Sequence, residues 1–358
     1  MGNAMRMFRY VAWIYLKYFF IIAFALSFLF AGLDYLQHLG SKLNGFNIKV
    51  LYLFYKGSYA LDLLFPLALV FAMIAAKVVL IRSNALLSFY ALGYSKKQVL
   101  TPFIAVSFFL TLLYVGMHFS SFVDADLSAR ALLHGKRVEN IKRNLFLKYN
   151  ESFIYIGQLV PAKKEAQDIR IYRMTEKELV QMIYGQKAIF KGDRWIVKDA
   201  KIVFKPTPKK LGGKGFSVEH KESYETLFGF KPKILTSVFQ GKKYYTIQDA
   251  YEAFRLLASQ GLDTQRVRTL FYHMAVTPFF ALFLVIIFFL SIPPYARSVN
   301  LLLTSFVLTG TTLFVWGILY LLYRISQTGV ILPEMGMVLI VFLLGIGALY
   351  SYLVRTNR

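Results

Sequence analysis

Long runs of apolar residues occupy both ends of the chain, and a polar segment lies between them. Five of the runs contain no Asp, Glu, Lys or Arg, and a sixth contains only Asp62. The runs are residues 18–33, 57–76, 99–123, 269–296, 298–323 and 335–354. About twenty apolar residues cross the hydrocarbon core of a bilayer. The pattern therefore predicts six transmembrane helices, because a buried helix of a soluble protein would explain one such run but not six.

The first run also has features of a cleaved signal peptide. Arg6 and Arg9 precede it, and small residues occur at Ala23 and Ala25. The apolar stretch continues past these alanines, however, and further runs follow, so we interpret it as a retained first helix. An even number of spans places both termini on one side of the membrane and the polar segment on the other.

The polar segment changes from helical to alternating spacing of apolar residues after Asn144. Short β-branched and aromatic stretches predict strands at residues 152–160, 168–174, 179–184, 188–190, 195–204, 215–220 and 223–228. Gly192 lies in a polar turn between two of them and predicts a hairpin. Thr246 and Asp249 form a capping-box pattern, which predicts a helix over 246–260 that leads into the fourth span.

These elements define the expected fold class. It is an α-helical membrane protein with six transmembrane helices, three before and three after an inserted antiparallel jellyroll-like domain. The predicted domains are residues 1–123, 124–264 and 265–358. The inserted domain is either a binding module for something apolar or a stabilising ectodomain.

Charge refines the topology. The 358 residues include 42 Lys/Arg and 19 Asp/Glu, with a net charge of +23 and 57% hydrophobic content. Outside residues 124–263 only three acids occur, which are Asp34, Asp62 and Glu334. Nine basic residues in short loops on the terminal side, against six on the other, favour cytoplasmic termini. Loop charge therefore explains the basic character, and no nucleic acid partner is expected. The absence of cysteine excludes disulfides, thiol nucleophiles and Cys-based zinc sites.

Residues 82–97, between the second and third spans, predict a short amphipathic helix. Ser83 or Asn84 can cap its start, Gly93 can end it in the left-handed conformation, and Ser95–Gln98 is a capping box that opens the third span. The helix either lies on the membrane surface or is presented to a cytoplasmic partner. Its apolar face consists of Leu86, Leu87, Tyr90 and Ala91.

The residues Arg82-Ser83-Asn84 and Ala91-Leu92-Gly93-Tyr94-Ser95 resemble the coupling-helix segment of the LptF/LptG permeases of lipopolysaccharide export. The resemblance extends over essentially the whole chain. Other matching stretches are Phe65-Pro66-Leu67-Ala68, Phe153-Ile154-Tyr155-Ile156, Ile169-Arg170-Ile171-Tyr172 and Ala258-Ser259-Gln260-Gly261. The absence of a long C-terminal tail, together with Asp34-Tyr35-Leu36 and Leu332-Pro333, looks more like the LptG branch than LptF.

The resemblance implies a multi-pass protein of the bacterial inner membrane with a periplasmic central domain. Its expected partners are a second LptF/LptG-type subunit, a dimeric cytoplasmic ATPase, a bitopic LptC-type protein and a periplasmic bridge. ATP and Mg would bind the ATPase, and this chain would bind no cofactor. The coupling residues implied are Arg82, Ser83, Asn84, Leu87, Leu92, Gly93 and Tyr94. Asn84 departs from the acidic residue usual in the family, so the contact should either be more polar and less sensitive to salt or be supplied by other residues.

Lipopolysaccharide combines acyl chains with an anionic head group. A permease for it needs an apolar cavity and cations at the outer rim. The cavity candidates are Phe24, Phe28, Phe30 and Leu33 of the first span and Phe306, Leu313, Trp316 and Tyr320 of the fifth. The head-group candidates are Lys42, Lys49 and Arg324. The apolar residues could equally face lipid or pack, and the cations could be interfacial anchors. Asp62 is expected to snorkel or to pair with Lys56.

Two other classes of function are weighed against transport. An intramembrane enzyme is disfavoured, because His38, His118 and His273 lack metal-ligand spacing and no Gly-rich phosphate loop occurs. A non-transporting scaffold or mechanotransmission subunit of another ABC-type complex is the main alternative. Such a scaffold would need no cavity between the first and fifth spans.

Overall fold

The computed structural model describes residues 2–38, 45–133, 142–149, 151–160, 163–175, 178–205, 215–230, 246–259, 263–294 and 300–356. The chain divides into two compact units. The membrane unit comprises Met1–Gly135, Thr246–Ala250 and Thr264–Arg358, and the sheet unit comprises Lys136–Tyr245 and Tyr251–Asp263. Composition alone placed the first boundary at residue 124. The structure extends the membrane unit beyond it, because a further helix packs against the second span.

The helices are α1 Gly2–Gln37, α2 Phe46–Arg82, α3 Ala85–Ala91, α4 Lys96–Met117, α5 Ala125–Leu133, α6 Ile247–Ser259, α7 Gln265–Ala275, α8 Phe279–Ser291, α9 Leu301–Gln327 and α10 Leu339–Thr356. A 3₁₀ turn, Ser121–Asp124, precedes α5, and a π turn, Glu334–Val338, precedes α10. The predicted helix over 246–260 corresponds to α6, and its expected end at Gly261 lies outside the described residues.

Within the described residues, five helices are long and apolar enough to cross a membrane, namely α1, α2, α4, α9 and the continuous π turn with α10. A sixth span exists if α7 and α8, which meet at a 42° bend, are counted together. The sequence pattern predicted one uninterrupted run here. The helix breaks because Pro278 has no N–H to donate, and the N–H groups of Val276 and Thr277 both turn back to the carbonyl of Tyr272.

Contacts between helix ends confirm the alternating direction of the spans. At one end, Arg355 of α10 donates to the Ser291 hydroxyl of α8 over 2.9 Å, and Tyr10 of α1 packs against Phe89 of α3. We call this the terminal end of the bundle, because α1 begins and α10 ends there. At the opposite end, Arg268 of α7 pairs with Glu334 at 2.7 Å.

α2 is the central helix of the bundle. It packs against α1, α4, α5, α8 and α9, and 72% of its apolar window is buried. Small residues such as Ala68, Ala72 and Ala76 let the neighbouring backbones approach closely. In α9, by contrast, only 6% of the corresponding window is buried. Both helices are apolar enough to cross a membrane, but other helices of the chain cover α2 and leave α9 largely uncovered.

The sheet unit contains one antiparallel sheet with its strands in sequence order. The strands are β1 Lys142–Tyr149, β2 Ser152–Val160, β3 Glu165–Thr175, β4 Glu178–Lys191, β5 Arg194–Phe204 and β6 Ser217–Thr226. The predicted antiparallel sheet is confirmed. Among the described strands the order is a meander, and the crossovers typical of a jellyroll do not occur within them.

Two pairs of predicted strands prove to be single strands. Residues 179–184 and 188–190 both belong to β4, and residues 215–220 and 223–228 overlap β6. β4 continues through Gly185, where only glycine fits, because a Cβ there would lie 2.1 Å from Cγ1 of Val197 on β5. The predicted hairpin at Gly192 is confirmed, with a positive φ of 69° between β4 and β5.

Alternation along the strands places one face in the core of the sheet unit. Ile156, Ile171, Ile183 and Trp195 are buried on this face. The indole N–H of Trp195 donates to the carbonyl of Phe230 at 2.6 Å, so the buried polar group is satisfied. These contacts give the domain a core of its own.

Candidate functional site

The segment between α2 and α4 forms a short helix between two sharp turns. Asn84 adopts the left-handed conformation, with φ 57°, and makes no side-chain cap to α3. The expected Ser83 or Asn84 cap is therefore wrong. Asparagine tolerates this conformation better than most residues, so Asn84 makes the turn through its backbone. Its carbonyl accepts the N–H of Ser88 at 2.9 Å.

The other end of α3 follows the sequence prediction. Gly93 has φ 87°, in the left-handed region where a residue with a Cβ would be strained. Ser95 then caps α4, since its hydroxyl accepts the Gln98 N–H and the Gln98 side chain accepts the Ser95 N–H. The expected capping box is confirmed. α3 is therefore joined to α2 and α4 through defined turns rather than through a long loop.

α3 presents one side to the core and the other outward. Leu86 is fully buried, and Phe89 and Tyr90 pack partly against the same core. Leu87 is exposed and Leu92 is 75% exposed, so the apolar face expected from the sequence is split between the two sides. Among the other coupling candidates, Arg82, Ser83, Asn84 and Gly93 are exposed.

Tyr94 differs from the other coupling candidates because it faces inward. It is half-buried and packs edge-to-face against Phe89, with ring centres 6.1 Å apart. This contact braces α3 against the turn that follows it. Tyr94 therefore supports the helix and contributes little to the outward surface.

The cavity candidates of the first span lie on two sides of α1, with Phe24 and Phe28 on one side and Phe30 and Leu33 on the other. Phe24 is 73% exposed and stacks on Phe28, and Leu33 is also exposed. Phe30 is only half-buried and packs edge-to-face against Tyr59 of α2. We call Phe24 and Phe28 the α1 row.

The candidates of the fifth span form a comparable row on α9. Phe306 is 76% exposed, Leu313 and Tyr320 are exposed, and half-buried Trp316 stacks on Tyr320 at 6.0 Å. We call these residues the α9 row. α1 packs against α2 and α4, whereas α9 packs against α2 and α7. Both rows face outward, so a cavity lined by both needs a further surface to enclose it.

Two of the three head-group candidates lie at the end of the bundle opposite the termini. Lys49 is exposed near the start of α2, and Arg324 is exposed in the last turn of α9. Lys42 lies outside the described residues.

A buried ion cluster near that end was not anticipated from the sequence. The Lys56 ammonium lies 2.9 Å from Asp126 and 3.2 Å from Asp34, and Tyr52 donates a hydrogen bond to Asp34. Arg130 adds a second cation to Asp126 at 2.7 Å. The cluster joins α1, α2 and α5. Asp126 belongs to a segment that composition assigns to the inserted domain, and its sequence gives no sign of a partner in the spans.

The expected pairing of Asp62 with Lys56 is wrong. Residues six apart on a helix point about 120° away from each other, so the two side chains face different neighbours. Asp62 instead lies 3.0 Å from Nε2 of His118 and accepts a hydrogen bond from the Tyr114 hydroxyl at 2.9 Å. These contacts connect α2 to the end of α4.

A second ion pair connects the bent span to the last span. Arg268 lies 2.7 Å from Glu334, and the Tyr272 hydroxyl donates to the same carboxylate at 3.2 Å. Within the described part of the chain, no group of three His, Asp or Glu residues lies close enough to hold a metal ion.

Comparison with known proteins adds one finding. A family model described as the lipopolysaccharide export system permease LptF/LptG matches residues 9–354. A search among curated proteins returns no match to the chain.

Proposed function

The chain belongs to the LptF/LptG family of lipopolysaccharide export permeases, and on that basis we propose that it is one of two permease subunits driven by a separate cytoplasmic ATPase. The complex extracts lipopolysaccharide from the inner membrane and passes it to a periplasmic bridge, and a bitopic LptC-type protein accompanies it. ATP and Mg bind the ATPase, and this chain binds no cofactor. The family model covers LptF and LptG alike. Asp34-Tyr35-Leu36 and Leu332-Pro333 favour the LptG branch.

The observation that carries the proposal is the outward exposure of the α1 and α9 rows. Only 17% of the apolar window of α1 and 6% of that of α9 are buried, against 72% for α2. Transmembrane helices associate through close packing, and large aromatic side chains pointing outward leave room between them. A second subunit that faces both rows would enclose a wide apolar space suited to acyl chains.

Charge supports the same assignment at the rim of that space. Lys49 and Arg324 are exposed at the end opposite the termini. With cytoplasmic termini, this end meets the outer leaflet of the inner membrane, where the phosphates of lipopolysaccharide lie. Cations at a membrane interface attract such anionic head groups.

The coupling role rests on the contacts and turns that fix α3 to α2 and α4. Leu86 fixes one side of α3 in the core, and short turns connect its ends to α2 and α4. A force applied to exposed Leu87 or Leu92 would therefore move α3 together with the adjoining ends of α2 and α4. In this proposal the ATPase contacts the outward surface of α3, and its closure on ATP moves α2 and α4 relative to the second subunit.

Site-specific photocrosslinking tests the transport proposal. A benzophenone amino acid replaces Phe24 or Phe306 in the complete complex, and Phe109, which is exposed on α4, provides a matched control. We expect lipopolysaccharide adducts at Phe24 and Phe306 that change in amount when ATP is supplied, and phospholipid adducts alone at Phe109. Active complexes in which neither row captures lipopolysaccharide would favour the scaffold function instead.

A further inference from the structure

A cavity of about 310 Å³ lies at the terminal end of the membrane unit. Four spans and the coupling helix meet around it. Its polar lining comes from Lys77 of α2, Tyr90 of α3, Lys96 of α4, Ser291 of α8 and Arg355 of α10. The cavity thus touches most of the elements that a movement of α3 would displace.

The lining carries three cations and no carboxylate among its described residues. Lys77 is the deepest of them, with 2% of its surface exposed. Its ammonium donates to the carbonyls of Phe289 and Ile292, the latter at 2.6 Å, and lies 4.1 Å from the centre of the Phe289 ring. An ammonium has three N–H donors, and these two carbonyls use two of them. Carbonyl groups solvate the charge but do not neutralise it.

Lys96 and Arg355 lie at the mouth of the cavity, where both are exposed. The Lys96 ammonium is 3.4 Å from the Arg355 carbonyl, and the Arg355 guanidinium donates to Ser291 at 2.9 Å. No ion pair joins either cation to a carboxylate in the described part of the chain. At the opposite end of the bundle, Lys56 and Arg268 are both paired with acids.

The walls between these cations are apolar. Leu290, Ile292, Pro293 and Pro294 line the cavity together with the Phe289 ring. Lys77 lies five residues before the end of α2 at Arg82, which is roughly 7 Å along the helix axis. The cavity therefore combines a positive base with an apolar wall at the depth where spans leave the membrane. Buried charges require compensation, and basic pockets between spans are typical binding sites for lipid head groups.

We propose that this cavity binds a phosphate group, supplied by an anionic phospholipid of the leaflet that meets the terminal end. Lys77 contacts the phosphate at the base, Lys96 and Arg355 close around it at the mouth, and Pro293 and Pro294 contact the glycerol and first acyl carbons. Because Tyr90 lines the same cavity, a bound lipid ties α3 to α2, α4, α8 and α10. Naming this leaflet cytoplasmic rests on the proposed function, whereas the binding itself does not.

Lipid titration of the purified full-length chain tests the site. Native mass spectrometry measures the affinity for phosphatidylglycerol, for phosphatidylcholine and for inorganic phosphate. The test variant is Lys96→Gln with Arg355→Gln, because both side chains are exposed and the helices do not depend on them. Lys77 is left unchanged, since it also satisfies the last carbonyls of α8. The control variant is Arg9→Gln, an exposed cation of α1 at the same end of the bundle.

We expect the unaltered chain to prefer phosphatidylglycerol over phosphatidylcholine. Each cation near the surface contributes about a fivefold gain in affinity, so the double variant should bind phosphatidylglycerol about 25-fold more weakly. Phosphatidylcholine binding should not change, and Arg9→Gln should behave as the unaltered chain.

The outcomes separate the sources of the phosphate. In one outcome, inorganic phosphate displaces phosphatidylglycerol from the unaltered chain but no longer binds to the double variant. That result would support the phosphate site and assign it to a soluble anion. The proposal would be overturned if the double variant and the unaltered chain bound phosphatidylglycerol with equal affinity. It would also be overturned if Arg9→Gln lowered that affinity as much as the double variant does. Neither result affects the lipopolysaccharide adducts expected at Phe24 and Phe306, so the two proposals fail independently.

Discussion

Replacing Lys56 with methionine is expected to destabilise the membrane unit strongly. The methionine side chain nearly matches the length of the lysine stem, so packing is retained while the charge is lost. The change leaves Asp126, which is fully buried, and Asp34 without their shared cation. The two carboxylates then repel each other across the space that the ammonium occupied.

The size of the effect follows from the contacts of the two acids. Removing one partner of a buried ion pair typically costs about 3–5 kcal/mol, because a charge remains buried and uncompensated. Asp126 keeps Arg130 at 2.7 Å, and Asp34 keeps the hydrogen bond from Tyr52. These remaining contacts place the expected loss near the lower limit, at about 3 kcal/mol.

Unfolding of the purified chain by denaturant in mixed micelles measures this loss. Lys49→Met is the matched control, since Lys49 is exposed on the same helix and its replacement should change the free energy of unfolding by about 0.5 kcal/mol or less. Asp126→Asn completes a double-mutant cycle with Lys56→Met. The reasoning is refuted if Lys56→Met is as mild as the control, or if the two changes in the cycle add within about 0.5 kcal/mol.

Three further changes test other parts of the structure. Gly185→Ala should destabilise the sheet unit by about 1–3 kcal/mol in thermal unfolding, because its Cβ would collide with Val197. Adding Val197→Ala to the same chain should restore part of the lost stability. If it restores none, the collision is not the cause. Leu92→Asp should release the ATPase on co-purification, since it places a charge on the exposed side of α3; unchanged recovery would contradict the docking assignment. Asn84→Asp should make retention of the ATPase more sensitive to salt, because it adds a charge to the contact, and a salt profile identical to that of Asn84 would exclude this residue from the contact.

Local patterns were sufficient to predict several parts of the fold. The spans follow from hydropathy, and the capping boxes at Ser95–Gln98 and Thr246–Asp249 follow from residues three positions apart. The antiparallel sheet follows from alternation. The residues of a capping box are neighbours in sequence. The apolar runs and the alternation along strands follow from which side chains face lipid, water or the protein core.

The parts that sequence missed depend on contacts between distant residues. Lys56 and Asp126 are separated by 70 positions, and no local pattern indicates that α5 packs against α2. The sequence predicts separate strands at 179–184 and 188–190, whereas β4 continues through Gly185, beside which Val197 of the next strand fills the space of a Cβ. Among the coupling candidates, the inward position of Tyr94 depends on Phe89 and could not be inferred from helical spacing alone.

The distribution of ion pairs explains why the membrane part carries its charge so unevenly. All three acids found outside residues 124–263 lie toward the end opposite the termini, where Asp34 pairs with Lys56, Asp62 contacts His118, and Glu334 pairs with Arg268. The basic residues of the terminal end therefore have no acid of the bundle to neutralise them. This distribution leaves the cavity around Lys77 without an acid from the three. The position of the acids thus accounts for the unpaired cations around the anion site that we propose.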